Sequence, residues 1–156
     1  MNKQFGKYPI VQYSKCKDDY FIYVEKNEKA MLTITQFCES KNIQNGRISG
    51  IGAVRNTEIG AYDIVKKKYL KKEFPNVVEL VSFEGNITIK NKKPFVHAHV
   101  VLSDNDMHTF GGHLFETTIA AVGEFFIRNF EGNAYRDLNE DIGLPCICLE
   151  NNFGLK

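Results

Sequence analysis

The sequence predicts an α+β domain, namely a mostly antiparallel β-sheet with one main helix near the N-terminus. One convincing helical period lies between residues 27 and 42, whereas apolar residues recur with period two from residue 47 onward. Short turns rich in Gly, Asn or Lys separate the strand-like segments. One early helix followed by closely connected strands favours an α+β domain, because alternating βαβ units would need helices between the strands.

The helix is predicted from a single apolar face. Asn27 is the expected N-cap, and the helical pattern stops at Asn42. Apolar side chains spaced three and four residues apart predict that this face packs on the core. They are Ala30, Met31, Ile34, Phe37 and Cys38.

Period-two segments predict strands along the rest of the chain. The segment 77–89 is interrupted at Gly85-Asn86, and 117–130 is interpreted as a strand although its apolar residues fit neither period cleanly. Pro145 indicates that the last strand begins at a sheet edge, since proline cannot donate to a central ladder. The expected strands cover residues 19–25, 48–54, 58–64, 68–74, 77–89, 95–103, 117–130 and 144–149.

Composition limits the class of protein. The chain has 156 residues, of which 43% are hydrophobic and 25% charged, so one globular domain over residues 1–156 can bury a sizeable core. The formal net charge of +1 gives no general attraction to nucleic acid or to an anionic membrane. The N-terminal stretch has no apolar signal region and no apolar run has membrane-spanning length. We therefore expect a cytoplasmic protein without a membrane partner.

The four cysteines are consistent with a reducing compartment. Cys16 and Cys38 are isolated, whereas Cys146 and Cys148 alternate as in a strand and share a face. That pair is either half of a metal site or two small buried residues, and the second interpretation is favoured.

A histidine trio is the most informative feature of the sequence. Apolar residues occupy positions 96, 98, 100 and 102, so His97 and His99 point together to the opposite face of their strand. His113 follows Gly111-Gly112, where a close backbone approach and positive φ would let its ring aim beside that strand. His108 is interpreted as a loop residue.

Three neutral imidazoles with an open fourth position are typical of a catalytic-type zinc site. Zinc is the expected divalent metal at His97, His99 and His113, although imidazole also suits iron, nickel and copper. The alternatives are unrelated histidines, or histidines that bind a ligand without metal. A metal-bound water needs a base, and the sequence does not select among nearby carboxylates: Glu84, Asp104, Asp106 and Glu116.

Two glycine pairs are candidate pocket residues. Gly50 and Gly52 lie in Ser49-Gly50-Ile51-Gly52, which is interpreted as a tight bend rather than a phosphate loop because no helix follows. The bend could still line a pocket, with Arg55 or Arg47 supplying charge for an anionic ligand. Gly111 and Gly112, beside the third histidine, are the other candidates.

Lysines crowd residues 66–72, and Lys90, Lys92 and Lys93 extend the basic cluster. Lysines around an aromatic residue can follow a phosphate backbone. The favoured interpretation is a solvated edge strand whose lysines prevent sheets from associating.

Four motifs together resemble the PPC domain, whose name stands for plants and prokaryotes conserved. They occur in the family's order over roughly residues 18–130 and comprise Ser49-Gly50-Ile51-Gly52-Ala53-Val54, the segment Glu79 to Asn86, His97-Ala98-His99 and Gly111-Gly112-His113-Leu114. The resemblance implies an α+β domain that assembles as a homotrimer, with a metal in some stand-alone prokaryotic members. By position, the family's histidines fall on His97, His99 and His113.

The expected function is therefore that of a metal-binding PPC-like domain acting on an unidentified small molecule, as a hydrolase or a binding protein. The alternative is a regulatory module that binds DNA or another protein. Plant PPC proteins bind DNA through a separate AT-hook, whose Arg-Gly-Arg-Pro core is absent from this chain.

Overall fold

The computed structural model describes residues 11–150. This part of the chain is mainly β, with nine strands and one helix, α1, at Ala30–Lys41. The strands are β1 (Val11–Cys16), β2 (Asp19–Val24), β3 (Gly46–Asp63), β4 (Lys68–Phe74), β5 (Val78–Lys90), β6 (Lys93–Ser103), β7 (Thr109–Asn129), β8 (Tyr135–Asn139) and β9 (Leu144–Cys148).

All nine strands belong to one sheet, in the order β1-β2-β7-β3-β5-β8-β9, with β4 paired to β3. Strand β6 pairs with both β5 and β7, so β3, β5, β6 and β7 close into a cycle. The pairing is antiparallel except for one parallel bridge, Ile89 to Tyr135, between β5 and β8. The prediction of a mostly antiparallel sheet with one helix is confirmed, although two strands precede the helix.

The core lies between α1 and the sheet. The helix buries Ile34, Phe37 and Cys38, and its neighbours across the core are β6 and β7. Phe83 and Phe125 are fully buried and meet edge to face, with ring centroids 5.2 Å apart. Removing such side chains from water is the main favourable term in folding. Within residues 11–150, the helix α1 has 12 residues, which is too short to span a bilayer.

The expected N-cap of α1 is wrong, whereas its expected end is correct. The helix begins at Ala30 after Lys29, and Asn27 has a φ of 75° and accepts a hydrogen bond from the Arg55 guanidinium (2.8 Å). Asn42 ends the helix in the left-handed conformation, which is common at that position.

The cap comes instead from a distant strand. The Glu116 carboxylate on β7 accepts hydrogen bonds from the backbone N–H groups of Met31 (2.8 Å) and Leu32 (3.2 Å). A carboxylate suits the free N–H groups and the positive dipole end of a helix N-terminus.

Strand boundaries differ from the prediction where extended chain contains a bulge or a glycine. Segments 48–54 and 58–64 merge into β3, because the break between them is a bulge: the register shifts after Arg55, and Asn56 has a φ of 49° without ending the strand. Gly85-Asn86 does not interrupt β5: a Cβ at Gly85 would lie 2.5 Å from the His97 carbonyl oxygen, so glycine lets β6 approach closely. The ambiguous segment 117–130 is the second half of β7, and β1 and β8 were not predicted.

One face of the sheet leaves large apolar side chains in contact with solvent. Phe21 is 54% exposed although its neighbour Ile22 is fully buried, and Phe126 lies directly across from it on β7. We call the following group the outer apolar face: Phe21, Ile51, Val81, Val122 and Phe126.

Candidate metal centre

The fold brings His97, His99 and His113 together on one side of the β5-β6-β7 sheet. His99 and His113 are direct cross-strand partners, and His97 lies two residues before His99 on β6. Ring centroids are 5.1 to 5.5 Å apart, and one ring nitrogen from each residue lies within 4.8 Å of the others. We call these three residues the histidine cluster.

Strand alternation positions the cluster as expected. Val96, Ala98 and Val100 are buried, whereas His97 is half-buried and His99 is exposed on the opposite face. The polar turn at residues 104–108 then returns the chain, so that β7 places His113 beside His99.

Of the two properties predicted for Gly111-Gly112, positive φ is wrong and close backbone approach is confirmed. Neither glycine has positive φ, since both lie in regular β7 backbone. The close approach is present: a Cβ at Gly111 would collide with the Val100 carbonyl oxygen across the ladder. Glycine is thus needed for strand pairing at this point, and the ring of His113 is aimed by the strand itself.

Burial keeps two of the histidines neutral. Desolvation, followed by the positive charge of Arg136, lowers the pKa of His97 to about 4. Desolvation, with His99 and Arg136 adding to it, lowers the pKa of His113 to about 4. A neutral imidazole has the free lone pair that a metal requires, and at neutral pH no proton competes for it.

The nitrogen Nδ1 of His113 is buried and has no hydrogen-bond partner within the described residues. Buried polar atoms are nearly always paired, so an orphaned imidazole nitrogen inside a group of three is a position that a metal would satisfy. Three neutral imidazole nitrogens are a donor set that suits zinc. The chemistry of the cluster therefore fits a divalent metal.

Aromatic rings form one wall of the cluster. Tyr69 stacks on His113 with ring centroids 4.9 Å apart, and Phe115 meets the same ring edge-on at 4.8 Å. Burial raises the pKa of Tyr69, so its hydroxyl stays protonated. Phe115 follows His113 by two residues, and strand alternation could have identified it from the sequence.

Arg136, on β8, also lies at the cluster, and no local pattern around it indicates this position. Its Nη2 lies 3.2 Å from Nδ1 of His97 and donates to Oδ1 of Asn86 (2.8 Å). Its Nε donates to the Thr88 hydroxyl (3.1 Å), and its Nη1 donates to the Pro145 carbonyl (3.0 Å). Asn86 and His97 are cross-strand partners, so the guanidinium spans β5, β6 and β9.

The C-terminal hairpin β8–β9 is fixed on a second side as well. The Tyr62 hydroxyl donates to the Ile142 carbonyl (2.7 Å), and the Lys67 ammonium donates to the Glu140 carbonyl (2.7 Å). The hairpin is thereby attached to the β3–β4 corner and, through Arg136, to the histidine cluster.

Three of the four carboxylates considered as bases are engaged elsewhere, and the fourth, Asp106, is exposed in the turn after β6. Glu84 lies directly across from His99 but pairs with the exposed Arg47 at 3.0 Å. Glu116 caps α1. Asp104 accepts from the backbone N–H groups of Asp106 and His108, which holds the turn in place.

The Gly50 and Gly52 bend lies apart from the histidine cluster. Gly50 lines a depression of about 350 Å³ beside the outer apolar face, and Gly52 lines a neighbouring one. Neither depression is lined by a histidine, and Arg55 bonds to Asn27. Gly111 and Gly112 do lie next to the cluster, paired with Val101 and Val100.

The lysine-rich segment forms an edge, as the favoured interpretation proposed. Strand β4 pairs only with β3 in the described sheet. Lys71 forms an ion pair with Glu58 at 2.9 Å and lies over the Phe115 ring at 3.8 Å.

All four cysteines are free thiols, and neither Cys146 nor Cys148 belongs to a metal-ligand group within residues 11–150.

The fold and the cluster define a small, mainly β domain in which three imidazoles converge on one side of the sheet. The family model of the Plants and Prokaryotes Conserved domain, PCC or PPC, matches residues 11–131, and the chain belongs to this family. No curated protein matches the chain in sequence.

Solved structures of similar fold support this assignment. A PPC protein from Pyrococcus horikoshii is 31% identical (TM-score 0.80, covering 94% of this chain and 97% of that one). A metal-containing protein from Archaeoglobus fulgidus is 34% identical (TM-score 0.78, 90% and 98%). A protein from Bacteroides thetaiotaomicron, named a candidate DNA-binding protein, is 26% identical (TM-score 0.87, 90% and 99%).

Proposed function

We propose that each chain binds one divalent metal ion through His97, His99 and His113, with zinc as the expected metal. The observation that carries the proposal is the convergence of three imidazoles, one of which keeps an unpaired, buried nitrogen. The metal-containing protein from Archaeoglobus fulgidus, at 34% identity, supports it further.

Elemental analysis of protein purified without an affinity tag tests this proposal. The wild type should carry about one equivalent of metal per chain, and the double variant His97→Ala/His99→Ala should carry none. Absence of stoichiometric metal from both proteins after incubation with zinc would reject the site.

Binding of a small molecule, rather than hydrolysis, is the activity that the surroundings favour. General-base catalysis needs a carboxylate or imidazole within hydrogen-bond reach of the reacting water. Glu84 is paired with Arg47, and Glu116 and Asp104 hold backbone N–H groups.

The free thiols at all four cysteines support the cytoplasmic, reducing location expected from the sequence.

We further propose that the chain forms a homotrimer through the outer apolar face. Phe21, Ile51 and Phe126 are each about half exposed, and contiguous apolar surface of this kind marks interaction sites. Gly50 and Gly52 belong to the same surface through the depressions that they line.

Sedimentation of the wild type should give three times the monomer mass at micromolar concentration. Phe126→Glu should dissociate the assembly, because it would bury an unpaired carboxylate. Val65→Glu, at a fully solvated turn position outside this face, is the matched control and should remain trimeric. A monomeric wild type would refute the trimer.

Nucleic-acid binding is a second candidate, supported by the name of the Bacteroides thetaiotaomicron protein. The lysines of the basic cluster are partly neutralised, as in the pair between Lys66 and Asp63. DNA binding that depends on phosphate contacts must weaken steeply with salt. A shallow slope between 50 and 200 mM salt, or no binding at low salt, would exclude it.

A further inference from the structure

Arg136 is a half-buried cation whose partners within the described residues are all neutral. It donates to an amide oxygen, a hydroxyl and a backbone carbonyl, and it contacts an imidazole nitrogen. Its side chain is partly removed from solvent, so the fold bears a desolvation cost there. Charged groups are seldom buried without a counter-charge, because an unpaired buried ion is costly.

The charges that act on the cluster from its surroundings are also positive. Arg136 acts on both His97 and His113, and Lys71 acts on His113. The carboxylate of Glu58 partly compensates Lys71, whereas no carboxylate of residues 11–150 pairs with Arg136. A divalent ion bound by three neutral imidazoles would add two further positive charges.

Imidazole chemistry determines what Arg136 does when a metal binds. A guanidinium only donates, so Nδ1 of His97 must be the acceptor in their contact at 3.2 Å. A metal bound at Nδ1 takes that lone pair, and a metal bound at Nε2 leaves the ring proton on Nδ1. In both cases the Arg136 N–H loses its acceptor.

After metal binding, the guanidinium therefore has N–H donors without an acceptor. It carries five N–H groups, of which the four contacts engage four. Loss of the His97 contact leaves two N–H groups without an acceptor. One of these N–H groups belongs to Nη1 and the other to Nη2. A guanidinium can present such a pair of donors to the two oxygens of a carboxylate or a phosphate.

We propose that the histidine cluster takes a small oxyanion, a carboxylate or a phosphate, and that Arg136 is the residue that recognises it. This inference rests on the proposed metal site, which it deepens by naming the class of ligand. The anion would supply the negative charge that the surroundings lack, and Arg136 would supply directional hydrogen bonds. Arg136 lies outside residues 11–131, so this contact comes from the C-terminal hairpin rather than the part matched by the family model.

Calorimetric titration with acetate and with inorganic phosphate tests the proposal, with acetamide as the neutral counterpart of acetate. Each ligand is titrated into zinc-loaded and metal-free protein. The variants are Arg136→Gln, which removes the charge, and Arg136→Lys, which retains it. Arg128→Gln, at an exposed position on β7, is the control for loss of one positive charge.

At least one of the two anions should bind the zinc-loaded wild type, and acetamide should not. Arg136→Gln should weaken anion binding by about tenfold to 100-fold, as expected for charge-assisted hydrogen bonds. Arg136→Lys should recover part of the loss, and Arg128→Gln should behave as the wild type. Zinc content is measured for every variant, so that loss of the metal is separated from loss of the anion.

Two results would overturn the assignment. One is that neither anion binds the wild type in either metal state. The other is that Arg136→Gln binds the anions as well as the wild type. If the wild type holds no zinc yet binds an anion in an Arg136-dependent way, the metal site fails while the oxyanion assignment stands.

Discussion

The β6–β7 hairpin carries two clusters, each with one potential ligand atom per residue within 4.8 Å of the others, that differ in burial and in hydrogen bonding. One is the histidine cluster, and the other comprises Asp104, Asp106 and His108. We call the second group the turn cluster. Two of the three members of the histidine cluster are half-buried, whereas two of the three members of the turn cluster are exposed.

Hydrogen bonding separates the two clusters. In the turn cluster, the Asp104 carboxylate already accepts from the N–H groups of Asp106 and His108. In the histidine cluster, Nδ1 of His113 is buried and unpaired. Proximity of ligand atoms is therefore weak evidence for a metal site. A buried ligand atom without a hydrogen-bond partner is stronger evidence.

Removing one histidine from each cluster should affect zinc binding very differently in the two variants. His113→Ala should weaken zinc binding by more than about 100-fold, since loss of even an indirect partner of a ligand costs up to that much. His108→Ala should leave zinc affinity unchanged. Competition titration against a chromophoric chelator measures both, and equal losses in the two variants would contradict the distinction.

Gly111 lies on the stretch of backbone that joins the two clusters. Gly111→Ala should destabilise the fold by about 2 kcal/mol, because the new methyl group meets the Val100 carbonyl oxygen and the two strands must separate. The free energy of unfolding in urea measures the effect. Gly132→Ala is the control: its added Cβ would meet no atom closer than 3.5 Å, so a comparable loss there would disprove the steric explanation.

The smallest effect is expected in the turn cluster. Asp104→Ala should cost about 1 kcal/mol of stability, because two backbone N–H groups lose their acceptor. Asp106→Ala should change stability little, since its side chain is exposed. Chemical denaturation gives both values, and zinc binding should be unaffected in both variants. A decrease in zinc affinity in the Asp104→Ala variant would show instead that the two clusters form one zinc site.

Local patterns were sufficient to predict the part of the site that lies on one strand. Alternation along residues 95–102 places His97 and His99 on one face, and the structure confirms it. His113 was proposed from the glycine pair that precedes it, and the family resemblance then placed it with the other two histidines. The position of Arg136 could not be predicted, because its contacts lie 39 and 50 residues away along the chain and nothing in its own segment marks it.

The errors in the predicted fold have a common physical cause. Asn27 is a good N-cap by its type, but Glu116 supplies the carboxylate from another strand. Gly85 looked like an interruption, yet it permits close packing of β5 on β6. In both cases a contact between distant segments outweighed the local preference of the residue.

The closed cycle of β3, β5, β6 and β7 has a consequence for how fast the site forms. Its longest pairing joins Gly46 to Asn129, and the ladder between β3 and β7 cannot begin until most of the chain is available. Chains dominated by such distant contacts fold in milliseconds to seconds, because the entropy of closing long loops is lost before the contacts compensate for it. We therefore expect slow refolding, in which metal affinity and Arg136 contacts appear together with the last strand pairings rather than before them.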